Sequence, residues 1–132
     1  MKKLVIVLAV IALAFGMSSC TKKGGATPTD ATKAYYELMQ KGDFKGAVQS
    51  TYDYNKEMSK DEKDAADAMI DMTASKIQEA MNEKGGMKEF ALSNETINGE
   101  DATVDVKITY GNGEEEEKTE NLKMVDGKWF VK

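Results

Sequence analysis

The chain has 132 residues, with 18 basic and 23 acidic side chains and a net charge of −5. Every basic residue is lysine, histidine and arginine are absent, and Cys20 is the one cysteine. That composition excludes a disulfide and a Cys/His zinc site. It argues against a nucleic-acid partner and against a phosphate-gripping enzyme, both of which lean on basic stripes and arginine forks.

Lys2 and Lys3 open the chain, and every residue from Leu4 to Phe15 is apolar ("LVIVLAVIALAF"). That run is shorter than the roughly 20 apolar residues a spanning helix needs. Gly16, Met17, Ser18 and Ser19 follow. Positive, apolar, then small is the order of a secretory signal peptide, expected over residues 1–19. Cys20 has no disulfide partner, no companion metal ligands and no base in fixed geometry. Covalent lipidation is the role left to it.

Met17-Ser18-Ser19-Cys20 resembles the lipobox of bacterial lipoproteins, with Met17 where leucine is usual. The resemblance implies cleavage between Ser19 and Cys20, diacylglycerol on the Cys20 sulfur, and a further acyl chain, such as palmitate, on the new amine. Two or more chains hold a protein on a membrane stably. Removing residues 1–19 takes away Lys2 and Lys3 and no acid, so 16 basic residues remain against 23 acidic, a net of −7. Thr21 resembles outer-membrane sorting, and Lys22 and Lys23 do not resemble the acidic signals of surface export. The expected address is the cell envelope, at the outer membrane facing the periplasm.

Residues 20–27 ("CTKKGGAT") read as the lipidated cysteine and a flexible tether. The domain proper is expected over 28–132. Thr27 is placed to cap a first helix, with Pro28 at its first position and Asp30 in its first turn. Ala31, Ala34, Tyr35, Leu38 and Met39 recur at helical spacing, and Gly42 ends the helix. Asp43 can cap a second, short helix through Phe44, Ala47 and Val48. "SKDE" at Ser59–Glu62 is a capping box for a long third helix. Its expected stripe is Ala65, Ala66, Met69, Thr73, Ile77, Ala80 and Met81, with Ile70 and Met72 at the edges. Gly85 and Gly86 stop it.

The period then changes to two. In "DATVDVKITY", Ala102, Val104, Val106, Ile108 and Tyr110 share one face, and Thr103, Asp105, Lys107 and Thr109 the other. A strand over about 88–96 reaches this one through Asn98-Gly99. A third strand spans about 115–125, and Asp126-Gly127 turns the chain into "KWFV". Helices followed by a meander make an α+β fold: two short helices and one long one packed on a curved four-stranded antiparallel sheet.

The stretch "TPTDATKAYYELMQKGDFKGAV", the long helix and the closing "VDGKWFVK" resemble the DUF4878 group of small envelope lipoproteins, within the NTF2-like, cystatin-like superfamily. The "KGDFKGA" junction and "DGKWFV" carry most of the likeness. It implies a curved sheet wrapping a long helix into a cone with an open mouth. The group also carries a lumazine-binding-like label.

Three functions follow as expectations. The first is a non-catalytic binding or structural module on a lipid anchor. The second is a small hydrophobic or aromatic ligand, of the lumazine kind, stacked in the cone on Tyr35, Tyr110 and Trp129. These aromatics equally suit plain core. The third is an NTF2-like enzyme, which requires an inward carboxylate beside a tyrosine hydroxyl. Without histidine, and with most of its acids expected on wet faces, the chain is read as a non-enzyme with no cofactor and no metal. Glu114–Glu117 read as a solvated hairpin tip more readily than as a calcium site. NTF2-like domains pair through the outer sheet face. Here that face carries Thr103, Asp105 and Lys107, which do not suit a large apolar homodimer interface.

Overall fold

The computed structural model describes residues 24–132. The expected signal peptide and the lipidation and cleavage positions at Ser19 and Cys20 lie outside the described residues.

Helix α1 (Pro28–Lys41) starts where the Thr27 side chain accepts from the Asp30 N–H at 3.0 Å. It ends at Gly42, whose φ of 87° is the left-handed conformation that a residue without Cβ adopts freely. The Asp43 side chain then accepts from the Gly46 N–H and caps α2 (Phe44–Gln49). One further turn, α3 (Tyr52–Asn55), follows, which the sequence pattern does not announce. Helix α4 (Lys60–Glu83) begins on the Ser59–Glu62 capping box, with both reciprocal bonds formed. At its end the Gly86 N–H bonds back to the Met81 carbonyl at 2.8 Å.

Strands β1 (Met87–Asn98), β2 (Asp101–Tyr110), β3 (Glu115–Val125) and β4 (Lys128–Val131) form one antiparallel sheet in the order β1-β2-β3-β4. The last turn holds Asp126 at φ 50° and Gly127 at φ 79°. This is the pair of positive angles that matches the twist of flanking strands and favours Asp-Gly. Along β2 the expected alternation holds: Ala102, Val104, Val106, Ile108 and Tyr110 are all buried.

β1 carries a bulge. Ser93 faces Asp105 and Thr96 faces Thr103, so Asn94 and Glu95 together oppose Val104. Asn94 takes a φ of 54° there. The extra residue bends the strand and reverses its alternation. Glu95 Oε1 thereby accepts from the Thr29 N–H at 2.9 Å and the Thr29 hydroxyl at 2.7 Å. A carboxylate thus meets the first turn of α1, where free amides and the helix dipole favour negative charge.

Two apolar clusters make the core. One gathers Tyr36, Met39, Ala47, Met81, Met87, Val106, Ile108 and Tyr110. The other gathers Ala31, Ala102, Val104, Leu122, Trp129 and Val131. Helix α1 feeds both, so the helix lying along the sheet is α1 and not the long one that the family resemblance implies. Tyr36, 2% exposed, takes the inward place on α1, while Ala34 faces solvent. On α4 the buried residues are Ile70 and Met81, whereas Met69 and Met72 are 57% and 56% exposed. The inner stripe therefore runs through Ala66, Ile70, Ala74, Ile77 and Met81, rotated from the one expected. That helix leans mainly on α2 and reaches the core through its C-terminal half.

The chain is already docked at Gly24, inside the segment expected to be a free tether. Gly25 pairs antiparallel with Trp129 through bonds of 2.9 and 2.8 Å, covering part of the outer edge of β4. A Cβ on Gly25 would lie 2.5 Å from the Ala31 nitrogen, so only glycine fits there. Among the described residues, no helix is long and apolar enough to cross a membrane.

Candidate functional site

The candidate site lies where the inner face of the sheet stops being apolar. Cross-strand partners share a face. On β2, Val104, Val106 and Ile108 point into the core; opposite them on β3 stand Glu120, Lys118 and Glu116. The inner face of β3 therefore reads Glu116, Lys118, Glu120 before it returns to the buried Leu122.

Each carboxylate is held by a buried phenol. The Tyr36 hydroxyl donates to Glu120 Oε2. The Tyr110 hydroxyl donates to Glu116 Oε1 at 2.5 Å. Lys118 Nζ lies 3.6 Å from Glu120 Oε2, with the Glu120 side chain 12% exposed and that of Lys118 45% exposed. Tyr36 packs on Phe90, ring centroids 5.6 Å apart, and meets Tyr35 edge-on at 5.2 Å. Burial, then the Glu120 carboxylate, pushes the Tyr36 phenol far above its usual value of 10.0. Burial and Glu116 push Tyr110 up to about 12. Tyr35 is raised as well, by burial and then by Glu120. These phenols keep their protons and act as donors.

An inward carboxylate beside a tyrosine hydroxyl, the arrangement an enzyme reading requires, is thus present at Tyr36–Glu120. Sequence reasoning missed Glu120 and Tyr36. Glu120 is an exception to the mostly wet placing of the acids, and β3 has no apolar alternation over its first half to reveal which face is inner.

Of the three aromatics expected to line a cone, the structure does not bring Tyr110 and Trp129 together. Trp129 is paired to Met124, beyond the end of β2 at Asp101, while Tyr110 sits at the opposite end of β2. Nine residues of strand separate the two ends, about 30 Å. The two side chains belong to different core clusters, and partly buried Tyr35 touches both.

Glu114–Glu117 diverge instead of converging. Glu114 bonds Lys84 Nζ at 3.1 Å and is held below the usual carboxylate range mainly by it. Glu115 faces Lys107 at 3.5 Å, and Glu116 turns in to Tyr110. Among the described residues no cluster of three or more acidic or cysteine side chains could hold a metal ion.

The outer face is polar and cross-linked. Asp105 accepts from Asn94 Nδ2 at 2.8 Å and from the Thr119 hydroxyl at 2.7 Å, which ties β1, β2 and β3 together. An open groove of about 500 Å³ crosses this face by Ser93, Asp105, Lys107 and Thr119.

Among the described residues, four helices followed by a curled four-stranded antiparallel sheet define an NTF2-like α+β domain. The chain is similar to an NTF2-like protein from Campylobacter jejuni, described as a transpeptidase. The TM-score to that crystal structure is 0.62, with 26% identity, covering 79% of this chain and 95% of that one. The solution structure of a SEC-C motif containing protein from Rhodopseudomonas palustris aligns with a TM-score of 0.56 at 17% identity, over 88% of this chain and 83% of that one, a likeness of fold alone. No curated protein matches. Residues 18–132 match the family model of DUF4878, a domain of unknown function, and the chain belongs to that family.

Proposed function

We propose that the protein is a membrane-anchored envelope lipoprotein whose NTF2-like domain binds a ligand or partner and performs no chemistry on it. The observation that carries this reading is the pairing of both inner-face carboxylates with raised-pKa phenols. Glu120 and Glu116 accept from Tyr36 and Tyr110, and these phenols hold their protons tightly. Such pairs fix acceptors in place. They do not generate a nucleophile, which needs an adjacent general base or a lowered pKa. The chain has no histidine to serve as such a base, and on this reading its one thiol, Cys20, carries the lipid.

The anchor reading rests on the signal-peptide order and on the sequence around Cys20. Docking of the chain from Gly24 sets the reach such an anchor would have. Four residue steps separate Cys20 from Gly24, at most about 14 Å. A lipid on Cys20 would hold the domain against the headgroups, at the outer membrane facing the periplasm.

Purification of the native protein in mild detergent, followed by intact-mass analysis, tests both parts. The reading expects a chain beginning at an acylated Cys20 and a co-purifying molecule that is released unchanged. A chain with a free thiol, or release of a reaction product, would refute it.

A further inference from the structure

Helix α4 carries two apolar stripes, and the fold uses one. Ile70 and Met81 face the core, while Met69 and Met72 stand 57% and 56% exposed on another side of the same helix. Each residue advances about 100° around a helix, so positions three, four and seven apart share a face. Ala65, Ala68, Met69 and Met72 therefore make a second stripe, and all four are exposed. A surface helix needs one apolar stripe to dock on its domain and is polar elsewhere. The second stripe has no role in this fold.

The charges around it carry the argument further. On the polar side of α4, Asp64 pairs with Lys60 at 3.3 Å, Asp71 pairs with Lys45 at 3.0 Å, and Asp67 accepts from the Tyr54 hydroxyl. Asp61 and Lys76 lie in line with the exposed stripe and have no ion-pair partner among the described residues. Asp61 stands seven positions before Ala68, and Lys76 stands seven after Met69. Seven residues make about two turns. The apolar patch is thus bounded at equal distances by one negative and one positive charge.

We infer that this face of α4 docks on the same face of a second copy of the chain, the two helices running antiparallel about a two-fold axis between Ala68 and Met69. Ala65 then faces the partner's Met72, Ala68 faces the partner's Met69, and Asp61 faces the partner's Lys76. Small side chains opposite large ones fill the space between close helices. Each end of the patch joins opposite charges, and the symmetry makes that contact twice. A parallel pair would set like charges against each other at both ends. The chain's net charge of −5 disfavours an anionic lipid surface as the occupant. Four turns of helix on four bury less than about 1,200 Å² in total, so the pair is expected to be weak, with micromolar dissociation.

Sedimentation equilibrium of the full mature chain in density-matched detergent, at rising protein concentration, tests this. A monomer–dimer equilibrium is expected. Lys76→Glu and Asp61→Lys should each weaken self-association about tenfold, because each sets like charges together at both ends. Mixed in equal amounts, the two variants should associate as well as the parent chain, since both crossed contacts then join opposite charges. That recovery cannot come from a folding defect in either variant. Met69→Asp, at an exposed position, should melt like the parent chain and sediment as a monomer. A parent chain that stays monomeric at high micromolar concentration overturns the inference, even if anionic vesicles then shield Met69 and Met72 from peroxide, which would give this face to lipid. Dimers indifferent to Met69→Asp overturn it too, as does failure of the mixed charge variants to associate.

Discussion

The Tyr36 hydroxyl donates to the Glu120 carboxylate across 84 positions of sequence, joining the helix that lies on the sheet to the charged inner face of β3. Tyr36 is 2% exposed. Removing the hydroxyl leaves a shielded carboxylate short of a donor. Tyr36→Phe should therefore cost about 1–3 kcal/mol in chemical denaturation. Adding Glu120→Gln to Tyr36→Phe should cost less than the sum of the single changes, because both act on one bond. Strict additivity would show that the pair is not coupled.

The same phenols set the alkaline limit of stability. Tyr35, Tyr36 and Tyr110 all have raised pKa values, Tyr110 at about 12, whereas an unfolded tyrosine titrates near 10.0. The folded chain favours the protonated form, so this contribution is complete below about pH 10 and is lost as pH rises through the folded values. Unfolding free energy should fall above about pH 10, with a shallower fall in Tyr110→Phe. Spectrophotometric titration should show these three phenolates forming late. Ionisation of all five tyrosines together near pH 10 in the folded protein would contradict the burial.

Glu95 is predicted to stabilise α1 from outside the helix. It accepts twice from Thr29 in the first turn, and the β1 bulge aims it there. Glu95→Ala removes a charged acceptor at a helix N-terminus, an effect of about 1–2 kcal/mol. Melting temperature should drop in Glu95→Ala and partly recover in Glu95→Gln. An unchanged melting temperature in Glu95→Ala would remove this link between β1 and α1.

Docking of the segment at Gly24 and Gly25 can be read from Trp129, the one tryptophan. Gly25→Val places atoms against the Ala31 backbone and breaks the Gly25–Trp129 pairing. The tryptophan emission should shift to longer wavelength, and the domain should lose about 1–3 kcal/mol. Emission identical to the parent chain would mean that the segment does not dock.

Local signals in the sequence are faithful where one residue decides one backbone event. Thr27, Gly42, the Ser59–Glu62 box and Asp126-Gly127 each sit where their chemistry places them. What depends on tertiary placement was not legible. Apolar spacing on α4 admits two stripes, and only packing against α2 selects Ile70 over Met69 and Met72. The run "EEEEKTE" has no apolar alternation, so the inward direction of Glu116, Lys118 and Glu120 appears only through their pairing with the alternating β2. The separation of Tyr110 from Trp129 follows from register, which two strands apart in the meander cannot reveal by composition. Met69→Ala and Met72→Ala should each change stability by less than about 0.5 kcal/mol, while Met81→Ala should cost about 2–5 kcal/mol.

Intact-mass analysis of the protein purified from its native membranes tests the central claim most directly. A chain that starts at Cys20 and carries acyl groups, accompanied by a ligand that leaves unaltered, is the predicted result. A chain retaining residues 1–19, or an unmodified Cys20 thiol, would contradict it.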